Sequence, residues 1–470
     1  MTLAESFGSL KVGTAMRQLY TVTFYLLLPL VFLRLALRGL RARAYWRRWP
    51  ERLGYGRGSS TQRPLWVHAV SVGEVHAALP LVSALGRCFP ELPILITTTT
   101  PTGSAAVKAA FGERVDHVYL PLDLPGAVRR FYRRLRPRLG VIMETELWPN
   151  LMAAAHEKGI PLMLVNARLS ERSAARYRRA GPLLRETLGY LNLIAAQSGA
   201  DADRFLQLGA HPEQVRVIGN LKFDLELAEG LEADGRELRL EIAGERPVWI
   251  AASTHEGEES VVLAAFDRIR EHMPESLLIL VPRRPERFGK VELLCRQAGY
   301  RVLLRTTMKA GEVSQADVFL GDTMGELRLF YAAADVAFVG GSLVPVGGHN
   351  LVEPAALGLP VITGPHVQNC RSVCRMFQRA GVCQEVNDAE AMADAILTHL
   401  NVPQDRRILG TRARLLVEEN RGTLARLLRL INAQLQYAPG RVPEALTING
   451  PTSVEGSLPK GHDPYRLRTH

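Results

Sequence analysis

The chain reads as α/β: two doubly wound domains in tandem, facing a cleft, behind an apolar N-terminal helix. Three observations predict this. Short, continuous apolar runs alternate with helix-like segments along most of the 470 residues, the signature of parallel strands covered on both faces. The alternation breaks once, over residues 226–246, where the composition shifts to Glu, Ala, Gly and Leu, and then starts again. A nearly uncharged stretch, Gln18 to Leu33, precedes everything else. The length alone exceeds what one ordinary core accommodates.

Taken in order, the first segment (1–45) is a membrane anchor with a basic juxtamembrane end. Gln18–Leu33 is rich in Leu, Val, Phe and Tyr, with Pro29 inside. It falls short of the roughly 20 residues an untilted span needs, but Leu35, Ala36 and Leu37 extend it while Arg34 snorkels. Arg34, Arg38, Arg41, Arg43, Arg47, Arg48, Arg52 and Arg57 then crowd one region and account for much of the uneven net charge of +11. Arginines behind an apolar run fit a cleaved leader poorly and fit an anionic inner-membrane surface well. They place the main body in the cytoplasm, with the anchor spanning or lying in the interface. No aromatic pattern of the nucleic-acid-binding kind accompanies the charge, so no nucleic-acid partner is expected.

Strands are predicted at Leu65–Val70, Ile94–Thr99, Val115–Leu120, Leu139–Met143, Pro161–Val165, Leu193–Ala196 and Val215–Ile218, making a first domain over 46–225. After the linker 226–246, whose composition suits a helix, a second series runs Val248–Ala252, Leu277–Val281, Arg301–Leu304, Asp317–Leu320, Asp335–Val339 and Pro360–Thr363. A long Leu- and Arg-rich helical pattern closes this second domain, 247–438. Residues 439–470, rich in Pro, Gly and polar side chains, read as a disordered tail. The five cysteines, Cys88, Cys295, Cys370, Cys374 and Cys383, form no C-x-x-C pair and imply neither a disulfide framework nor a zinc site. No metal or other cofactor is expected.

Residues at strand ends face the crevice of such a fold, and the polar motifs fall there. Ser71-Val72-Gly73-Glu74 ends a strand and opens a helix; Glu74 is a candidate general base, or simply an acid that suits a helix start. Thr99 sits in a hydroxyl-rich turn that can bind a sugar or cap a helix. Glu144 and Glu146 put two carboxylates at one edge. Arg168 and Lys222 each follow a strand, able to neutralise a phosphate or a sugar carboxylate. The Asp201-Ala202-Asp203 spacing resembles a metal-binding pair but lies at a helix start, where capping is the simpler role.

In the second half, Ser253, Thr254 and His255 open a helix, Arg283 and Arg284 follow the next strand, and Met324, Gly325 and Glu326 form another glycine turn. Gly340 to Glu353 carries the densest signal. A strand, a glycine-rich turn including Gly347 and Gly348, and a helix start together suit a phosphate, with Asn350 beside it and Glu353 placed for ribose hydroxyls. A plain βα turn with a helix-start glutamate is the simpler alternative.

As a set, S-V-G-E (Ser71–Glu74), E-T-E-L-W-P-N (Glu144–Asn150), N-A-R-L-S (Asn166–Ser170), G-N-L-K-F-D (Gly219–Asp224), D-T-M-G-E-L (Asp322–Leu327) and G-G-H-N (Gly347–Asn350) strongly resembles the 3-deoxy-D-manno-octulosonic acid (Kdo) transferases of Gram-negative bacteria. The resemblance runs from the anchor to about Leu435. It implies two Rossmann-like halves of GT-B type, CMP-Kdo as donor, a lipid A precursor as acceptor, and inversion at the anomeric centre. It makes Glu74 the base and places Arg283, Ser253, Gly325, Glu326, Asn350 and Glu353 around CMP. Lys222 and one of Glu144 and Glu146 fall near the reacting sugar, with Ser71, Gly73, Thr99 and Arg168 as candidate acceptor or sugar contacts. One departure stands out: the family has Pro-Arg-His-Pro-Glu-Arg where this chain has Arg284 in the histidine position. Arg284 keeps a cation there and loses a proton carrier. A GT-B enzyme with a UDP-sugar donor and a membrane-attached basic binding protein are the alternative readings.

Overall fold

A computed structural model of the chain describes residues 3–56, 62–308 and 315–436. Arg57 and the tail expected over 439–470 lie outside the described residues.

The first half is built on β1 (Leu65–His68), β2 (Ile94–Thr98), β3 (Asp116–Tyr119), β4 (Leu139–Met143), β5 (Leu162–Ala167), β6 (Leu193–Ala196) and β7 (Val215–Val217). They form one sheet in the order β3-β2-β1-β4-β5-β6-β7, with every pairing parallel. Every residue of β1, β2, β4, β5 and β6 is buried, because helices cover both faces; this is why these strands are apolar throughout instead of alternating.

The second half repeats the plan with β8 (Val248–Thr254), β9 (Leu277–Pro282), β10 (Val302–Leu304), β11 (Val318–Leu320), β12 (Val336–Val339), β13 (Val361–Thr363) and β14 (Cys383–Glu385). Their order is β10-β11-β9-β8-β12-β13-β14, again parallel at every pairing. In the first sheet the winding reverses between β1 and β4, in the second between β8 and β12. Loops leaving these four strands therefore flank the two crevices where such sheets bind ligands.

The stretch read as a helical linker, 226–246, does contain a helix, Leu231–Ile242, and it is packed: Leu238, Ile242 and Ala243 join the core around Val248, Ile250 and Phe330. The stretch read as one closing helix of the second domain is two helices, Pro403–Glu419 and Thr423–Gln436. The former packs Ala413 and Val417 into the second half. The latter returns to the first half, where Leu427, Leu430 and Ile431 join the core of β1, β2 and β4. The Asp224 carboxylate fixes this return by accepting from the Gly422 and Leu424 amides at 2.6 and 2.7 Å.

The N-terminal helix α1 runs from Leu3 to Arg41. Within it, Gly13–Leu40 is 28 residues long and holds an 18-residue stretch of mean hydropathy 1.8, apolar and long enough to cross a membrane. A short helix, α2 (Trp49–Arg52), leads into the first sheet.

Candidate active site

The β1 loop enters helix α3 (Val72–Cys88) with Ser71 at its N-cap. Glu74 lies in the first turn and folds back so that its carboxylate accepts from the Val70 amide at 2.8 Å. Burial pushes this carboxyl up to about 8; the Val70 amide opposes the shift, and the nearby Glu144 and Glu146 add to it. Gly73 is exposed, and the nearest atom to a Cβ added there is the Ser71 hydroxyl at 3.9 Å. A Cβ at Gly73 would thus meet only that hydroxyl, at ordinary contact distance.

The β4 loop brings the other two acids. Glu144 adopts φ +57°, a backbone cost that an L-residue seldom bears outside functional turns. Its carboxylate pairs with Arg168 Nε at 2.8 Å. Glu146 accepts from Trp148 Nε1 at 2.9 Å, and burial raises its pKa. Arg168 also donates to the Asn369 carbonyl at 3.3 Å, bridging the two halves. Lys222 is half-buried, and burial lowers its pKa while Glu144 and Glu353 pull the other way. Thr99 spends its hydroxyl on the Val70 carbonyl at 3.2 Å and so braces the Glu74 turn.

Facing these groups, the β8 end carries Ser253 at φ +58°. His255 and His349 stack with ring centroids 5.1 Å apart and Nε2 atoms 2.9 Å apart. Burial lowers both pKa values, His349 to about 4. One ring therefore donates and the other accepts. Arg283 lies close enough to depress His349 and His76, and the latter, on α3, also feels Glu353. Arg283 and Glu353 thus reach the first half at His76, and Glu353 also at Lys222. Glu353 itself pairs with Arg328 at 3.3 Å.

Not every expected ligand faces this space with free atoms. Thr254 is fully buried and donates to Glu259 at 3.0 Å, while Glu259 takes a two-point contact from Arg287 at 2.9 and 3.0 Å. Glu326 is held by Arg305 at 2.8 Å and by Thr323, and this pairing lowers its pKa. Met324 and Arg284 are exposed; Gly325 has φ +94° with open space beside it.

The glycine turn also differs from a free phosphate nest. Gly341, Gly347 and Gly348 all have positive φ, but the Gly347 and Gly348 amides both donate to the Gly341 carbonyl, at 3.0 and 2.7 Å. The amides of Gly341, Ser342 and Leu343 converge on the buried Glu258 carboxylate at 2.7, 3.0 and 2.9 Å, and the His255 amide joins them at 2.8 Å. The chain supplies its own anion there. Asn350 caps Val352 at 3.2 Å through its side-chain oxygen, which leaves its amide nitrogen for a ligand. Glu258 and Glu259, adjacent acids at a helix start, are the organising residues that sequence reasoning passed over. Their only outward sign is two glutamates in one first turn.

Two parallel α/β sheets with charged side chains gathered at the strand ends beside each crevice make a GT-B-type fold. The UDP-GlcNAc 2-epimerase of Neisseria meningitidis, at 12% identity, shares the fold over 79% of this chain and 100% of its own, with a TM-score of 0.53. Residues 47–225 match the 3-deoxy-D-manno-octulosonic-acid transferase (kdotransferase) family, and residues 260–416 match glycosyl transferases group 1. The 3-deoxy-D-manno-octulosonic acid transferase of Haemophilus influenzae is 42% identical over 423 residues, covering 89% of this chain and 99% of its own. That of Bordetella pertussis is 39% identical over 88% of this chain and 98% of its own. The chain belongs to the 3-deoxy-D-manno-octulosonic acid transferase family.

Proposed function

We propose that the protein moves Kdo from CMP-Kdo to a lipid A precursor, lipid IV-A, with inversion, releasing CMP during lipopolysaccharide core biosynthesis at the cytoplasmic face of the inner membrane. The observation that carries this reading is Glu74: a carboxyl raised to about 8 in the helix turn that also holds His76, which feels both Arg283 and Glu353. A base of that strength takes a proton from an alcohol near neutral pH far better than an ordinary carboxylate.

The acceptor hydroxyl gives its proton to ionised Glu74 as its oxygen bonds to the anomeric carbon of Kdo. The bond from that carbon to the CMP phosphate oxygen breaks, and the electron pair leaves with the phosphate. Attack from the side opposite the leaving group inverts the centre. Arg283 supports the departing phosphate, with Arg284 near it, and the neutral His255–His349 pair offers an N–H donor. Lys222 suits the Kdo carboxylate, and Arg168 keeps Glu144 in register. Ser253, Gly325 and Asn350 suit the cytidine and ribose side, while Glu353 stays in reach of ribose hydroxyls. Positive side chains meet the phosphate charge, so the step needs no divalent metal.

Mass spectrometry of the product from lipid IV-A and CMP-Kdo tests donor, acceptor and number of additions together. One CMP should appear per Kdo added, and excess EDTA should leave the rate unchanged. Inhibition by UDP with indifference to CMP would overturn the donor assignment.

A further inference from the structure

Helix α1 carries two opposed stripes. Leu19, Val22, Leu26, Leu30, Leu33, Leu37 and Leu40 recur every three or four residues and are all about half exposed or more. At about 1.5 Å per residue they make an apolar ridge roughly 30 Å long. The opposite stripe grips the first half of the protein. Arg17 Nε lies 3.4 Å from the buried Glu186 carboxylate, and Thr14 donates to the same group at 3.5 Å. Thr21 donates to Asn150 Oδ1 at 3.1 Å, while Tyr20 hydrogen-bonds Asp123. Asp123 is itself 2% exposed and accepts from the Asn150 and Leu151 amides.

The C-terminal end of α1 is tied to the same half. Phe32 packs at a tilt against Trp49 with centroids 5.2 Å apart, and Trp46 Nε1 donates to the Ala36 carbonyl at 2.9 Å. Around Trp49, Arg48 reaches the His117 carbonyl at 2.9 Å, Glu51 accepts from the Tyr119 amide at 2.8 Å, and Arg52 reaches the Thr99 carbonyl at 2.9 Å. Two well-separated parts of α1, Thr14–Thr21 and Phe32–Ala36, are therefore bonded to one folded body. A spanning helix would carry one of those parts across the bilayer and drag Asp123, Asn150 and Glu186 with it.

We infer that α1 does not cross the membrane. It lies in the plane of the cytoplasmic leaflet with its leucine ridge in the hydrocarbon boundary, and the exposed Arg34, Arg38, Arg43 and Arg47 meet anionic headgroups. This rests on the membrane location proposed above and adds its topology: a surface-lying enzyme, clamped by the Arg17–Glu186 and Tyr20/Thr21–Asp123/Asn150 contacts.

The test uses the full chain with a protease-cleavable epitope ahead of Met1, made in a Gram-negative host. Protease should remove the epitope in inverted inner-membrane vesicles and leave it intact in sealed spheroplasts. Cleavage in spheroplasts would overturn the topology while sparing the membrane location. Absence of the protein from the membrane fraction would overturn the location itself. A second readout uses the L26E/L30E variant and phosphatidylglycerol vesicles, where binding should fall by at least about tenfold. Unchanged binding would show that the ridge does not meet lipid.

Discussion

Glu74 owes its chemistry to burial and to two neighbouring acids. Its folded pKa of about 8 stands well above the unfolded value, so the protonated form favours the fold. That stabilisation is fully present below the unfolded pKa and disappears as pH rises through about 8. Two outcomes follow. Transfer should rise with pH through about 8 as the base ionises, measured as initial rate under saturating CMP-Kdo. The E74Q variant should keep its fold, seen by circular dichroism, yet lose about 10²–10⁴-fold in rate. Its urea midpoint should also decline less than the wild type's between pH 5 and 9. Gly73 makes a companion case: an added Cβ would touch only the Ser71 hydroxyl, at 3.9 Å, so G73A should melt at the wild-type temperature while transfer drops, because the added methyl stands on the exposed side of the Glu74 turn. Positions such as Glu74, Glu144 and Arg168 were legible because a parallel sheet exposes its strand ends to the crevice. Thr254 and Glu326 read identically in sequence, yet Glu259 and Arg305 claim them, and such commitments between distant residues leave no local pattern.

The glycine loop after β12 shows the same limit at the scale of an element. Its glycines were visible, and their positive φ was a fair expectation. Which acceptors its amides would find was not, since the acceptor, Glu258, lies on another βα unit. With four backbone amides on one buried carboxylate, the E258A variant leaves several donors unsatisfied and should lose on the order of 3 kcal/mol or more in urea unfolding. CMP should then protect the variant less from heat, because His255 and the loop share that anchor. The strands were more readable. Continuous apolar runs located thirteen of them to within a residue or two, whereas β14, three residues of Cys383-Gln384-Glu385, has a buried cysteine and two exposed polar groups and offers no such run.

At the scale of the whole molecule, two GT-B halves could be inferred, but not which half owns each closing helix. The Thr423–Gln436 helix is amphipathic, and an apolar stripe does not name its partner; Asp224 and the core around Leu427 do. L427A should cost about 2–5 kcal/mol. Limited proteolysis should locate the loss in residues 62–225, although the substitution lies some two hundred residues later in the chain.

That returning helix sets a schedule for synthesis. The half that leaves the ribosome first is missing Leu427, Leu430 and Ile431 until more than four hundred residues have been added. During that interval the face that awaits them stays uncovered, while α1 is already free to meet the bilayer. Nascent chains arrested before residue 423 should therefore be protease-sensitive throughout their first half and depend on chaperones, and release of the Thr423–Gln436 helix should complete both the fold and the enzyme in one step.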